Sequence, residues 1–152
     1  MNAEQKQHIE ELAQQFFSLL GIQAACKITN TDEESVTLAV DAEETGMLIG
    51  FHGETLEALQ LVFSLFLAKQ LGEFTRVSLE IGEYRHNREE WLKQLVEQTK
   101  ERALSEHRGI ALSNLKSWER RFVHMMLKDD AEVVSESMGE GRDRALTISP
   151  KN

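Results

Sequence analysis

Proline, cysteine and long apolar runs are nearly missing from these 152 residues, and each scarcity excludes something. The one cysteine, Cys26, has no second thiol to pair with, so the fold must rest on a hydrophobic core, as suits a reducing compartment. The one proline, Pro150, comes after every helical pattern in the chain, so no proline ring kinks a helix before it. No stretch approaches the roughly 18 uninterrupted apolar residues of a membrane span. The opening Met1-Asn2-Ala3-Glu4-Gln5-Lys6 lacks the basic-then-apolar order of a secretory signal. A cytoplasmic protein with no membrane role is expected.

Catalytic and cofactor signatures are equally scarce. His8, His52, His86, His107 and His124 show no metal-ligand spacing such as H-E-x-x-H. Cys26 stands in a strand-like run without a neighbouring base, and neither a nucleophile elbow nor a Walker-type loop occurs. Neither an enzyme nor a resident cofactor or metal is expected.

Positive charge is also in short supply, with 17 Lys and Arg against 26 Asp and Glu and a net charge of −9. The imbalance is uneven. Residues 1–60 carry 2 basic and 11 acidic side chains, 61–128 carry 12 and 9, and 129–152 carry 3 and 6. A polyanion is repelled by the first segment and finds a favourable balance only in the second.

What is present is amphipathic periodicity. Ile9, Leu12, Ala13, Phe16, Phe17, Leu19 and Leu20 recur at helical spacing and stop at Gly21. Ala24–Thr29 and Ser35–Val40 read as strands of a hairpin, separated by the acidic turn Asn30-Thr31-Asp32-Glu33-Glu34. Met47-Leu48-Ile49 leads into Gly50-Phe51-His52-Gly53. A helix marked by Leu56, Leu59, Leu61, Val62, Leu65 and Phe66 then runs to about Gly72, and Arg76–Ile81 alternates as a third strand. The character changes at Gly82-Glu83. A long helix over Tyr84–His107, a short strand at Ile110–Leu112 and a helix over Leu115–Lys128, capped by Asn114 or Ser117, are expected next. Strands over Glu132–Ser137 and Ala145–Ser149, joined by Gly139-Glu140-Gly141, complete the pattern. The result is an α+β chain of two small domains, αββααβ over 1–83 and αβαββ over 84–152.

Two segments carry chemistry. In Gly50-Phe51-His52-Gly53 the glycines permit left-handed backbone and close approach, and the next helix begins with unpaired amides that attract phosphate. Phe51 is suited to stack on a base, and His52 offers an imidazole in place of a fixed cation. In Trp118-Glu119-Arg120-Arg121-Phe122-Val123-His124, Arg120 and His124 lie four apart on one helical face, extended by Lys116 and Lys128. Arg121 falls in the same sector, while Trp118, Phe122, Met125 and Met126 fill another, so a helix buried on most sides with a basic window is expected. Either segment alone also fits an ordinary connector or a solvated basic face.

The arrangement Ile49-Gly-x-x-Gly53 inside an αββααβ order resembles the bacterial, type II KH domain. That resemblance implies that the loop clamps the backbone of a single strand. The family usually places Lys or Arg between the glycines, whereas Phe51 and His52 stand here. Further pieces are Ala111-Leu112-Ser113, Glu119-Arg120-Arg121-Phe122-Val123-His124, Leu127-Lys128-Asp129-Asp130 and Glu136-Ser137-x-Gly139-Glu140-Gly141-x-Asp143-Arg144. These look like the R-three-H (Arg-x-x-x-His) domain of bacterial Jag-type proteins, which join a KH domain to it in this order. Ser137 matches a residue typical of the bacterial group, as do Arg121 and Arg144, and the resemblance implies single-stranded RNA or single-stranded DNA as ligand, with Arg120, His124, Arg121 and Arg144 at the contact. It also implies a small KH-only protein as a partner. The rival reading is therefore a protein-pairing module, and the two differ in whether Arg120, Arg121 and Lys128 or the acidic Glu10 and Glu11 matter.

Overall fold

The computed structural model describes residues 1–32 and 35–152 and has the expected α+β class. The chain divides into two units, Met1–Arg85 and His86–Asn152, each with a three-stranded sheet and a core of its own.

The first unit runs α1 (Ala3–Leu19), β1 (Ala24–Thr31), β2 (Ser35–Ala42), α2 (Thr45–Ile49), a 3-10 turn (Phe51–Gly53), α3 (Glu54–Leu71) and β3 (Arg76–Ile81). Asn2 and Gln5 start α1 by exchanging side-chain-to-amide hydrogen bonds, which satisfies two otherwise orphaned N–H groups. The helix buries Ile9, Leu12, Ala13, Phe16 and Phe17; Leu19 and Leu20 are exposed because the buried stripe ends one turn earlier. β1 pairs antiparallel with β2, through a bulge between Ile28 and Asn30 that carries the strand beyond its expected end. Glu33 and Glu34 of the expected turn lie outside the described residues. β2 pairs parallel with β3 so that Val36, Leu38 and Val40 oppose Val77, Leu79 and Ile81, and all six are buried.

The helices also finish the sheet's edges. Glu10 of α1 accepts the Ile28 N–H of β1 at 2.8 Å, and Gln60 of α3 accepts the Leu79 N–H of β3 at 2.9 Å. Ser64 accepts the Val77 N–H at 3.2 Å, so outward-facing amides of both edge strands are occupied. α3 buries Phe63, Ser64 and Leu67, whereas Leu61, Val62 and Leu65, expected on its packed face, are 60%, 52% and 55% exposed. An apolar run on both sides of a helix hides which side the sheet takes; here the two polar anchors, Gln60 and Ser64, decide it.

The second unit comprises α4 (Tyr84–Glu106, its first two residues still in the first unit), β4 (Ile110–Leu112), α5 (Ser117–Leu127), β5 (Val133–Met138), a 3-10 turn (Gly141–Asp143) and β6 (Ala145–Pro150). The sheet order is β4-β6-β5, antiparallel throughout. Leu92 and Val96 of α4 and Val123 and Leu127 of α5 close the core against Val133, Leu146 and Ile148. Full burial of each such side chain is worth roughly 1.5–3 kcal/mol. α5 begins later than expected, with Lys116 as its N-cap rather than Asn114 or Ser117. The Lys116 N–H donates to the Glu119 carboxylate at 2.8 Å, so the cap comes from inside the helix.

Candidate nucleic-acid interface

Gly50 takes φ 69° and ψ −169°, a region essentially closed to other residues. A Cβ there would fall 2.0 Å from Thr55 Oγ1, so the loop folds directly onto the first turn of α3. His52 and Gly53 both adopt left-handed backbone, at φ 50° and 78°. Gly53 is buried, and a Cβ on it would meet the Tyr84 hydroxyl at 3.0 Å. The geometry brings Phe51 and His52 together as stacked rings, centroids 4.1 Å apart and planes 10° apart, with Phe51 74% exposed. No side chain caps the N-terminus of α3, and Glu54 and Glu57 occupy its first turn. The loop therefore presents a flat aromatic face and helix-start amides, with acidic neighbours that compete for those amides.

On α5 only one stripe, Glu119, Val123 and Leu127, is fully buried, with Trp118 and Phe122 packed partly against the core. Met125 and Met126 are exposed, so the expectation of a helix buried on most sides is corrected. The helix is fully covered along a single line, flanked by the half-buried Trp118, Arg120 and Phe122, and the remaining face of Arg121, His124, Met125 and Met126 is solvated. Arg121, His124 and Lys128 are exposed, and neither Arg121 nor Lys128 has an ion-pair partner among the described residues. Arg120 is only half-buried: its guanidinium donates to the Leu115 carbonyl at 2.6 Å and to Ser117 Oγ at 3.1 Å. It braces the start of the helix and still shows part of its fork.

Beneath this face lies an ion pair that the sequence did not reveal. Glu119, 1% exposed, accepts from Arg88 Nε of α4 at 2.5 Å, and the Arg88 guanidinium lies 4.0 Å from the Trp91 ring centre. The only acid in α5 is thus spent internally, which leaves the outer face positive. Asp130, following α5, accepts the N–H groups of Glu132 and Val133 at 2.8 and 3.0 Å and Lys100 Nζ at 2.7 Å. Chiefly the Lys100 hydrogen bond, then the Glu132 amide, lowers its pKa to about 2. Its role is to shape the turn into β5.

The structure brings Arg120, Arg121 and His124 together on α5, with Lys116 just before it and Lys128 just after. Two serines of β5 touch basic groups: Ser135, which sequence reading did not single out, and Ser137, which it matched to the family without giving it a role. Ser135 Oγ lies 2.8 Å from His124 Nδ1, and Ser137 Oγ accepts from Arg144 Nε at 2.8 Å. The available signal was serine at inward positions of a strand whose first inward residue is Val133. Gly50, Phe51, His52 and Gly53 form the separate loop of the first unit.

Residues 6–81 match the model of the KhpA/KhpB KH domain, and residues 90–150 match that of the R-three-H domain. The chain belongs to the KhpA/KhpB family. Its first unit is the KH domain and its second the R-three-H domain. An RNA-binding protein KhpB from Clostridium symbiosum is 30% identical over 142 residues, covering 93% of this chain and 64% of the relative. RNA-binding protein KhpB from Bacillus subtilis (strain 168) is 33% identical over 121 residues, covering 78% and 58%. The protein of the same name from Lactiplantibacillus plantarum is 30% identical over 113 residues, covering 74% and 35%. The chain thus spans less than two thirds of each of these relatives.

Proposed function

We propose that this chain binds single-stranded nucleic acid, RNA foremost, as a non-enzymatic module of the cytoplasm. The α5 face of the R-three-H domain is the principal contact. Arg121, His124 and Lys128 stand exposed there, flanked by Arg120, Lys116 and Arg144, on a helix whose only acid is buried. That segregation carries the reading, because it places a positive surface on a protein of net charge −9. Relatives named for RNA binding support it. Gly50 to Gly53 add a second contact in which stacking on Phe51 replaces the missing cationic residue. No helix among the described residues is long and apolar enough to cross a membrane.

A second reading has its own observation. Ala58, Leu61, Val62 and Leu65 line an exposed face of α3 at helical spacing, an apolar surface that suits pairing with another KH protein. The two roles are compatible, since α3 and α5 belong to different domains.

Fluorescence anisotropy with labelled single-stranded RNA tests the first reading. Arg121→Ala and Lys128→Ala are cleaner probes than Arg120→Ala, which also frees the Leu115 carbonyl. Each lost phosphate contact should reduce the log–log salt slope by about 0.7. A folded Arg121→Ala/Lys128→Ala/His124→Ala variant that binds like the parent would sink the assignment to α5. Parallel titration with single-stranded DNA reports whether the 2′-hydroxyl is read.

A further inference from the structure

Inward positions of β5 begin as core and end as something else. Val133 is fully buried in the hydrophobic cluster, yet the next two residues on that face are Ser135 and Ser137. Ser135 is itself buried, and a buried hydroxyl is unfavourable unless it is hydrogen-bonded. Its partner is not backbone but the imidazole of His124, 2.8 Å away; Ser137, one step along, holds Arg144 at 2.8 Å. The strand therefore exchanges two core positions for two hydroxyls, each directed at a basic side chain from a different element.

We infer that Ser135 and Ser137 are positioning residues, a hydroxyl row on β5 that orients His124 and Arg144 and extends the α5 contact surface across the strand to the start of β6. The inference rests on the α5 face being the binding surface. A hydroxyl suits the first task because it both donates and accepts. The neutral ring with its proton on Nε2 accepts the Ser135 O–H at Nδ1, and the charged ring donates Nδ1–H to Ser135 Oγ. In both states Nε2–H is on the ring edge away from Ser135, ready to donate to a phosphate oxygen. For Arg144, fixing Nε against Ser137 leaves the terminal amino groups to form a forked contact. Orientation before binding removes part of the side-chain ordering cost of association.

The experiment is a pair of double-mutant cycles on the full chain with a fluorescein-labelled oligouridine strand. Ser135→Ala should weaken binding roughly two- to tenfold in the parent. It should have no further effect in a His124→Ala background, and Ser137→Ala should behave likewise against Arg144→Ala. Ser135→Thr, which keeps the hydroxyl, should restore affinity. Equal weakening in both backgrounds would mark a merely structural role and overturn the inference, as would parental affinity in Ser135→Ala. Should Ser135→Ala fail to fold, Ser135→Cys, similar in volume and a weaker hydrogen-bonding group, takes its place in the cycle. If the parent itself does not bind the strand, the proposed function fails, and positioning is then read in the free protein. There the His124 imidazole nitrogen resonances must shift in Ser135→Ala, and unchanged resonances would refute the hydroxyl's role.

Discussion

Glu119→Gln is the sharpest test of how the R-three-H domain holds α5. The carboxylate has two partners, Arg88 Nε at 2.5 Å and the Lys116 N–H at 2.8 Å. A glutamine oxygen can serve only one of them well. If it keeps the cap, its NH2 group faces the Arg88 guanidinium and two donors oppose each other. Hydrogen bonds to charged groups contribute about 1.5–3 kcal/mol, and stranding one member of a buried pair costs about 3–5 kcal/mol. The Arg88 side chain retains 14% exposure, which places the expected loss at about 2–4 kcal/mol. For a domain of this size that corresponds to a fall of at least roughly 10 °C in midpoint. The assay is unusually clean, because the chain's two tryptophans, Trp91 and Trp118, both lie in the second unit, so their emission follows that unit alone. Arg88 variants are poorer probes, since Arg88 covers the Trp91 ring and changes its emission directly. As a control, Arg102→Gln breaks an exposed pair with Glu106 and should leave the midpoint essentially at the parent's value. A Glu119→Gln midpoint as close to the parent as that control would refute the reasoning.

Other expectations are as direct. Gly50→Ala places a Cβ 2.0 Å from Thr55 Oγ1 at a positive φ, so it should destabilise the KH domain by about 1–3 kcal/mol, seen in far-UV circular dichroism but not in tryptophan emission. Asp130 has its folded pKa lowered to about 2, below its unfolded value, so its contribution is complete above about pH 4 and disappears as pH falls toward 2. The tryptophan-monitored midpoint should drop across that window, and Asp130→Asn should flatten the drop. Burial first, and the Glu10 carboxylate second, push the Cys26 thiol up to about 11. A disulfide reagent at neutral pH should therefore label Cys26 only as the KH domain opens, and rapid labelling of the native protein would contradict the packing of β1.

The element order was legible because each element carries its own period. Val36, Leu38 and Val40 alternate, and Ile9, Leu12, Ala13 and Phe16 recur as a helix does, whatever their partners. That Arg120 and His124 share one helix was legible for the same local reason, since they stand one helical turn apart. What stayed hidden depends on partners distant in the chain. Glu119 reads as an ordinary surface acid until Arg88 is placed beside it, and Ser135 reads as a solvated strand residue until α5 lies over it. Leu61, Val62 and Leu65 misled in the opposite sense. Apolar character indicates that a residue gains from burial, but not that this chain supplies the cover, and the sheet instead takes the side anchored by Gln60 and Ser64.

The position of β6 has a consequence for synthesis. It is the central strand of its sheet, pairing Ile148 with both Ile110 and Ser135, although it is the last strand in the sequence. On the ribosome, β4 and β5 have no common neighbour until residues 145–150 emerge, and the inner faces of α4 and α5 remain uncovered until then. The KH sheet has the opposite order of assembly: its central strand β2 pairs first with the preceding β1, and β3 joins an existing edge. The acidic half of the molecule can therefore fold while the chain is still being made. The R-three-H half acquires a rigid surface only after Pro150 has left the exit tunnel.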